Sequence, residues 1–145
     1  MAKVLYTAEA HVTGGRAAGH GRTNDGNLEV DLRLPKEMGG DGGGTNPEEL
    51  FAVGFASCFE SALQVVARRE RVDAGDVAID SRVHLHPTEE RGFKLSVDMD
   101  VALPQVEDAD QAARIVEAAH QVCPYSNATR GNIDVNFTVN GRALG

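Results

Sequence analysis

The stretch from Thr45 to Arg69 constrains the fold most, because it has the pattern of a long and almost continuously apolar helix. Asn46 suits the N-cap position and Pro47 the first helical position. Glu49, three residues after Asn46, completes the pattern of a capping box. A helix that is apolar on all faces is buried on all faces. We therefore predict a central helix, roughly 30 Å long, with Cys58 in its middle.

Composition limits the classes of function. A chain of 145 residues predicts one domain over residues 1–145, and a net charge of -8 argues against nucleic acid and anionic membranes as partners. No apolar run reaches transmembrane length once charges are counted. The first residues lack the apolar centre and cleavage site of a signal peptide, so we expect a cytoplasmic location. In that reducing compartment, two cysteines suggest redox, catalytic or merely buried roles.

The periodicity of apolar residues predicts the remaining elements. Alternation predicts strands over residues 4–12, 28–34, 77–85, 93–103 and 133–139. The third and fourth strands form a hairpin, and residues 14–27 and 35–44 are glycine-rich loops. A second helix covers 108–122, ends at Cys123-Pro124, and buries a stripe made of Ala112, Ile115, Val116 and Ala119. This order predicts an α+β fold with antiparallel sheet, and not a doubly wound nucleotide-binding fold.

Cys58 and Cys123 are the first candidates for chemistry. A free cysteine is often a small buried hydrophobe, and composition alone favours that interpretation. Cys123 is expected at a helix end, where side chains are often exposed. The two could also form a peroxidatic and resolving pair, and their separation of 65 residues does not argue against it. The sequence leaves both interpretations open.

Arg16 and Glu48 are the next candidates. Arg16 follows two glycines and is most simply a solvated loop charge. A flexible turn would also let its guanidinium approach a thiol and lower the pKa of that thiol. Glu48 lies in the first turn of the predicted helix, where its charge interacts favourably with the helix dipole, by about 0.5 kcal/mol. Its alternative role is to orient Arg16 through charge-assisted hydrogen bonds.

The histidines do not form a metal-binding pattern. His84 and His86 share one face of a strand, and His120 lies three residues before Cys123. Neither pair makes a complete set of zinc ligands. The sequence also contains no phosphate-binding loop and no dinucleotide fingerprint. We therefore expect neither a metal nor a cofactor.

Three segments together resemble one known family. They are GGR at 14–16, TNPEELFAVGFASCF at 45–59 and AHQVCPYSNATRGNIDV at 119–135. In this order they resemble the organic hydroperoxide resistance proteins, a branch of the OsmC superfamily, over nearly the whole chain. The long motif CPYSNATRGN favours this branch over the osmotically induced branch.

The resemblance implies a fold, an activity and a set of site residues. It implies an OsmC-like fold in which antiparallel sheets wrap around the long central helices of an intertwined homodimer, with two active sites near the subunit interface. It implies a thiol peroxidase for organic hydroperoxides, including those of fatty acids, with dihydrolipoyl groups on proteins as the reductant. Cys58 would be the peroxidatic cysteine and Cys123 the resolving cysteine. Arg16 and Glu48 would be the pair that activates the thiol.

Two alternatives from other functional classes stay open. The chain could bind or carry lipophilic molecules, with both cysteines buried and inert. It could also be a redox sensor, whose disulfide changes the activity of a partner without turnover.

Overall fold

The computed structural model of the chain describes residues 2–145 and divides into two compact units. One unit ends at Leu50, and the other is Phe51–Gly145. The strands are β1 (Ala10–Thr13), β2 (Ala18–Thr23), β3 (Glu29–Arg33), β4 (Ala78–Pro87), β5 (Phe93–Ala102), β6 (Val135–Val139) and β7 (Arg142–Ala143). The helices are α1 (Pro47–Arg69), α2 (Ala109–Val122) and α3 (Pro124–Thr129). The predicted α+β class is confirmed, and the single domain stays a prediction.

The first unit contains an antiparallel sheet in the order β1-β2-β3. Strand β2 was not predicted, because its glycines give the segment the composition of a loop. The predicted strand over residues 4–12 is largely wrong, since β1 begins only at Ala10, opposite Thr23 at the end of β2. Residues 2–9 are in neither a helix nor a strand. Alternation alone does not make a strand, because the backbone also needs a partner to pair with.

The start of α1 is fixed by hydrogen bonds from its own first residues. The side-chain oxygen of Asn46 accepts a hydrogen bond from the N–H of Glu49 at 2.8 Å, which confirms the predicted cap. The carboxylate of Glu49 accepts from the hydroxyl of Thr45 at 2.9 Å. Glu49, the second residue of the predicted capping box, therefore binds the hydroxyl of Thr45, where a standard capping box would bind the backbone N–H of Asn46.

Helix α1 is buried along one stripe only, so the prediction of burial on every face is wrong for the single chain. Its buried residues are Phe55, Phe59, Ala62, Leu63, Val66 and Ala67. Val53 is 71% exposed. The helix is also long and apolar enough to cross a membrane, with a mean hydropathy of 1.6, contrary to the sequence-based expectation. Its buried stripe belongs to the hydrophobic core of the second unit, as in the core helix of a globular protein.

The ends of the helices differ in detail from the predictions. The segment Asp73-Ala74-Gly75 has the composition of a turn and predicts the end of α1. The helix ends earlier, at Arg69, and Arg71 follows in the left-handed region with φ of 59°. Helix α2 ends at Val122 as predicted. At its N-terminus, the side chain of Asp108 caps the helix. All four residues of its predicted apolar stripe are buried, which confirms the face that it turns to the core.

The sheet of the second unit has the order β4-β5-β6-β7. The hairpin of β4 and β5 is antiparallel as predicted, and so is the pairing of β6 with β7. Strand β6 runs parallel to β5, from Val97 opposite Val135 to Val101 opposite Val139, a pairing that the sequence did not predict. A parallel pair needs a crossover connection, and α2 and α3 provide it.

Candidate active site

Arg16 lies in the turn that joins β1 to β2. Gly14 and Gly15 precede it with φ of 78° and 63°, a backbone conformation that only glycine adopts readily. A Cβ on Gly14 would lie 2.2 Å from the carbonyl oxygen of Ala18, so a side chain at this position would also collide with the backbone. The two glycines therefore set the path of the chain from which Arg16 projects.

Arg16 and Glu48 form a forked ion pair within the first unit. Nη1 of Arg16 donates to Oε1 of Glu48 at 2.7 Å, and Nη2 donates to Oε2 at 3.2 Å. The hydrogen bond to Glu48 raises the pKa of Arg16, so the guanidinium keeps its charge. The Arg16 side chain is 38% exposed and that of Glu48 is 18% exposed. A planar cation held on two points has a fixed orientation, and the donors that Glu48 does not use remain available to a further group.

An apolar cavity of about 400 Å³ lies beside this ion pair in the first unit. Its wall includes Arg16 together with Val12, Val30, Leu32 and Leu50. Val12 is 58% exposed, although valine side chains are usually buried. This unit therefore presents a sizeable apolar surface next to a positive charge.

The two cysteines meet in the second unit. Cys58 lies in the middle of α1 and is partly buried, and Cys123 is fully buried, contrary to the exposure expected at a helix end. Both thiols are free, and they lie close enough for Cys123 to raise the pKa of Cys58. Cys123 lies between α2 and α3, where its sulfur accepts from the N–H of Ser126 at 3.4 Å and caps α3. The structure thus brings together two thiols that lie far apart in the sequence.

The surroundings of Cys58 work against ionisation. Burial raises the pKa of the Cys58 thiol, and the neighbouring Cys123 raises it further. A hydrogen bond from the backbone N–H of Tyr125 acts in the opposite direction, because it stabilises the thiolate. The single chain described here therefore holds Cys58 as a thiol, and a nucleophilic Cys58 needs a cation beside it.

Three rings form an aromatic cluster on the same side of α1 as Cys58. Phe51 and Phe55 lie 5.6 Å apart between ring centroids, and Tyr125 from α3 lies 5.8 Å from each. The ring planes of Phe51 and Tyr125 are inclined by only 23°, so the two rings stack. Phe51, Phe55 and Cys58 are spaced by four and three residues, which places them on one helical face. The thiol pair therefore has an aromatic wall.

Gly54 and Tyr125 are site residues that the sequence reasoning missed. Gly54 lies four residues before Cys58 on α1, on the face that α1 turns to Tyr125. A Cβ at Gly54 would lie 3.2 Å from the hydroxyl oxygen of Tyr125 and 3.4 Å from Cε2. The available signal was a glycine inside a helix, where it costs about 1 kcal/mol relative to alanine.

The histidines have other neighbours. His84 contacts Asp98 at 3.0 Å and His86 contacts Ser96 at 2.8 Å, both across the β4–β5 pair. The ring of His120 packs edge-on against Phe137, and burial lowers its pKa, with a smaller effect from Arg130. Within residues 2–145, no group of three or more His, Cys, Asp and Glu side chains could hold a metal ion.

The four predicted site residues therefore form two pairs, one in each unit. Arg16 is joined to Glu48, and Cys58 is joined to Cys123. Their catalytic roles stay predictions. The approach of Arg16 to Cys58 is likewise a prediction.

Comparisons with known proteins place the chain in a family. Residues 40–138 match the family described as OsmC-like protein. An organic hydroperoxide resistance protein of Xanthomonas axonopodis pv. citri is 48% identical, over 94% of this chain and 96% of its own. A crystal structure of an organic hydroperoxide resistance protein from Legionella pneumophila has a TM-score of 0.90 and 49% identity, covering 94% of this chain and 98% of that one. That of OhrB from Bacillus subtilis has a TM-score of 0.85 and 42% identity, over 94% and 99%. The chain belongs to the organic hydroperoxide resistance branch of the OsmC-like family.

Proposed function

We propose that this protein is a cysteine-based peroxidase that reduces organic hydroperoxides, including those of fatty acids, and so defends the cell against oxidative stress. The observation that carries the proposal is the contact between Cys58 and Cys123 beside an aromatic wall. A thiol pair in contact is suited to a cycle of oxidation and disulfide formation. The names of the relatives, organic hydroperoxide resistance proteins, support the same class of substrate.

The first step of the proposed reaction oxidises Cys58. Its thiolate attacks the distal oxygen of ROOH, so that an S–O bond forms and the O–O bond breaks. The leaving alkoxide takes up a proton and departs as the alcohol ROH. Cys58 is then a sulfenic acid, and the peroxide has been reduced by two electrons.

The next two steps restore the thiols. The sulfur of Cys123 attacks the sulfenic sulfur of Cys58, the S–O bond breaks, and the hydroxyl leaves as water with the proton of Cys123. A dithiol then exchanges with the Cys58–Cys123 disulfide and is itself oxidised. We assign this last role to dihydrolipoyl groups on a partner protein. The net reaction converts one hydroperoxide and one dithiol into an alcohol, water and a disulfide.

Arg16 and Glu48 have a defined task in this proposal. Burial holds the pKa of Cys58 up, so attack at neutral pH requires an opposing positive charge. The guanidinium of Arg16, fixed by the carboxylate of Glu48, supplies that charge and stabilises the negative charge that develops on the breaking O–O bond. Glu48 acts only through the orientation of Arg16.

We also propose that the protein works as a cytoplasmic homodimer of single-domain subunits. The support is apolar surface that the single chain leaves exposed. Val4, Leu5 and Tyr6 are 72, 91 and 78% exposed, and Val53 on α1 is 71% exposed. A monomer rarely leaves so many large apolar side chains in water. Light scattering coupled to size exclusion should give twice the mass of the 15.4 kDa chain, and a monomer at micromolar concentration would contradict this part.

A peroxide assay tests the proposed activity. The reduced protein is mixed with cumene hydroperoxide, loss of free thiol is followed by stopped flow, and turnover is measured with dihydrolipoamide. We expect rapid thiol loss and continuous peroxide consumption, which Cys58→Ser should abolish, because a serine hydroxyl does not ionise at neutral pH. Cys123→Ser should keep the first oxidation and accumulate a sulfenic acid on Cys58, visible by mass spectrometry after trapping.

The same assay separates the alternatives. Thiol loss without turnover in the presence of reductant would favour a redox sensor. Absence of thiol loss would favour a carrier of lipophilic molecules. Turnover by Cys58→Ser at the wild-type rate would overturn the assignment of the nucleophile.

A further inference from the structure

Gly54 is an unusual residue for its position. It lies in the interior of α1, where glycine weakens a helix relative to alanine. Its φ is not in the left-handed region, so the backbone there does not require glycine. What glycine provides at this site is space, because the atoms nearest to a Cβ placed on it all belong to the ring and hydroxyl of Tyr125.

Tyr125 is placed against this space by contacts of its ring and of its backbone. Its ring stacks on Phe51 and lies against Phe55, and its backbone N–H lowers the pKa of Cys58, which places it next to that thiol. Even so, Tyr125 is 38% exposed, which is high for a tyrosine in contact with two phenylalanines. Tyr125 is therefore packed on the protein over part of its surface and open to an incoming molecule over the rest.

The spacing along α1 connects this ring to the reaction. Phe51, Gly54, Phe55 and Cys58 recur at intervals of three, one and three residues and lie on one helical face. A molecule that presents its peroxide oxygen to Cys58 must lay its organic group near that face. The ring of Tyr125, next to Gly54, is then one of the first surfaces that the organic group meets.

We propose that Tyr125, seated on Gly54, is a specificity-determining residue that selects hydroperoxides carrying an aromatic or extended unsaturated group. A flat ring with one open side stacks well on another flat, polarisable group and gains little from a compact one. The inference rests on the proposed peroxidase function and deepens it. Gly54 acts as the positioning residue, because the absence of a side chain lets the ring lie close to the helix.

The first variant removes the ring. Tyr125→Leu should lower kcat/KM for cumene hydroperoxide by about tenfold, the upper size of a single aromatic contact, and lower kcat/KM for hydrogen peroxide by much less. Tyr125→Phe should behave like the wild type. Phe93→Leu, at an exposed aromatic residue of the β4–β5 hairpin, is the matched control and should alter neither value. An equal loss with both peroxides in Tyr125→Leu would overturn the proposal.

The second variant displaces the ring without removing it. Gly54→Ala places a methyl group 3.2 Å from the Tyr125 oxygen, so the ring must shift by a few tenths of an ångström. We expect the unfolding midpoint to stay or rise, because alanine favours the helix, while kcat/KM for cumene hydroperoxide falls about threefold. In the Tyr125→Leu background the same substitution should have no further effect. Additive losses in the double variant would show that Gly54 does not act through Tyr125.

These outcomes are distinct from a failure of the proposed function. If the wild type consumes no hydroperoxide at all, the peroxidase assignment fails. If the wild type turns over, the peroxidase assignment stands. If the ratio of kcat/KM for cumene hydroperoxide to kcat/KM for hydrogen peroxide is then the same in all variants, only the proposed role of Tyr125 is wrong.

Discussion

At the scale of single residues, the surroundings of Cys58 and its proposed chemistry favour opposite protonation states of the thiol. Burial and the neighbouring thiol favour the protonated form, while the proposed chemistry needs the thiolate. The Tyr125 N–H is a neutral donor, and the burial effect outweighs it. The proposed resolution is the guanidinium of Arg16, whose orientation on Glu48 is defined by two hydrogen bonds.

Removal of that guanidinium should suppress ionisation of Cys58. In the Cys123→Ser background, Arg16→Ala should move the pH midpoint of Cys58 alkylation upward, and slow alkylation at pH 7 about tenfold if the shift is one unit. Arg16→Lys keeps the charge but loses the forked hydrogen bonds to Glu48, so its alkylation midpoint should lie between those of the protein with Arg16 and of Arg16→Ala. The control is Arg82→Ala, which breaks an arginine–carboxylate pair with Asp100 elsewhere. An alkylation profile that Arg16→Ala leaves in place would remove Arg16 from the mechanism.

His120 should make stability depend on pH. Burial lowers its pKa from the ordinary value of 6.5, so the unfolded chain takes up a proton at a higher pH than the folded protein does. Its contribution to stability is therefore complete above about pH 6.5 and is lost as the pH falls toward the lower folded pKa. The unfolding free energy of the wild type should fall more between pH 7.5 and 5.5 than that of His120→Gln. Parallel pH profiles for the two proteins would contradict this account.

At the scale of elements, α1 depends on its first turn for its start. Asn46→Ala leaves the N–H of Glu49 without its acceptor and should lower the free energy of unfolding by about 1 kcal/mol. Asn46→Asp keeps an acceptor at the same place and should cost little. Urea denaturation of the three proteins gives the comparison. A full-stability Asn46→Ala would mean that water or Thr45 replaces the cap.

The elements also show which parts of the fold a sequence can predict. Helix α1, the β4–β5 hairpin and α2 follow from periodicity and caps within each segment, and they were predicted with nearly the observed bounds. Strand β2 was missed because Gly19 and Gly21 are buried in it opposite Leu32 and Val30, and a glycine gives no hydrophobic signal. Helix α3 was missed because a proline that ends one helix can begin another, as Pro124 does at its first position.

The candidate site was predictable only in part, because its contacts join segments that lie far apart in the sequence. The motif around Cys58 and the one that contains Cys123 identify the thiols, but their contact depends on the crossover between β5 and β6. No local pattern indicates that Tyr125 lies on Gly54, since a residue from α3 meets one from α1. The burial of Cys123 was equally hidden, because the same position ends α2 and caps α3.

At the scale of the whole molecule, oxidation should change global stability. A Cys58–Cys123 bond would close a loop of 65 residues, and the loss of chain entropy in the unfolded state corresponds to about 4 kcal/mol at most. Protein treated with one equivalent of cumene hydroperoxide should therefore unfold at higher urea than the reduced protein. Cys123→Ser treated in the same way is the control and should show no such rise. A lower midpoint for the oxidised wild type would mean that the bond strains the native structure by more than this.

The parallel pairing of β6 with β5 has a consequence for the order of folding. The β4–β5 hairpin joins neighbours in the sequence, whereas Val97 and Val135 are partners across 38 residues, so their pairing raises the contact order. Such long-range pairs form late, because chain entropy is lost before the contacts compensate for it. Cys123 lies inside that crossover. A nascent chain that has completed its hairpin and α1 thus still carries two separate, ordinary thiols, and we expect fast peroxide chemistry to begin only when the last central strand has docked.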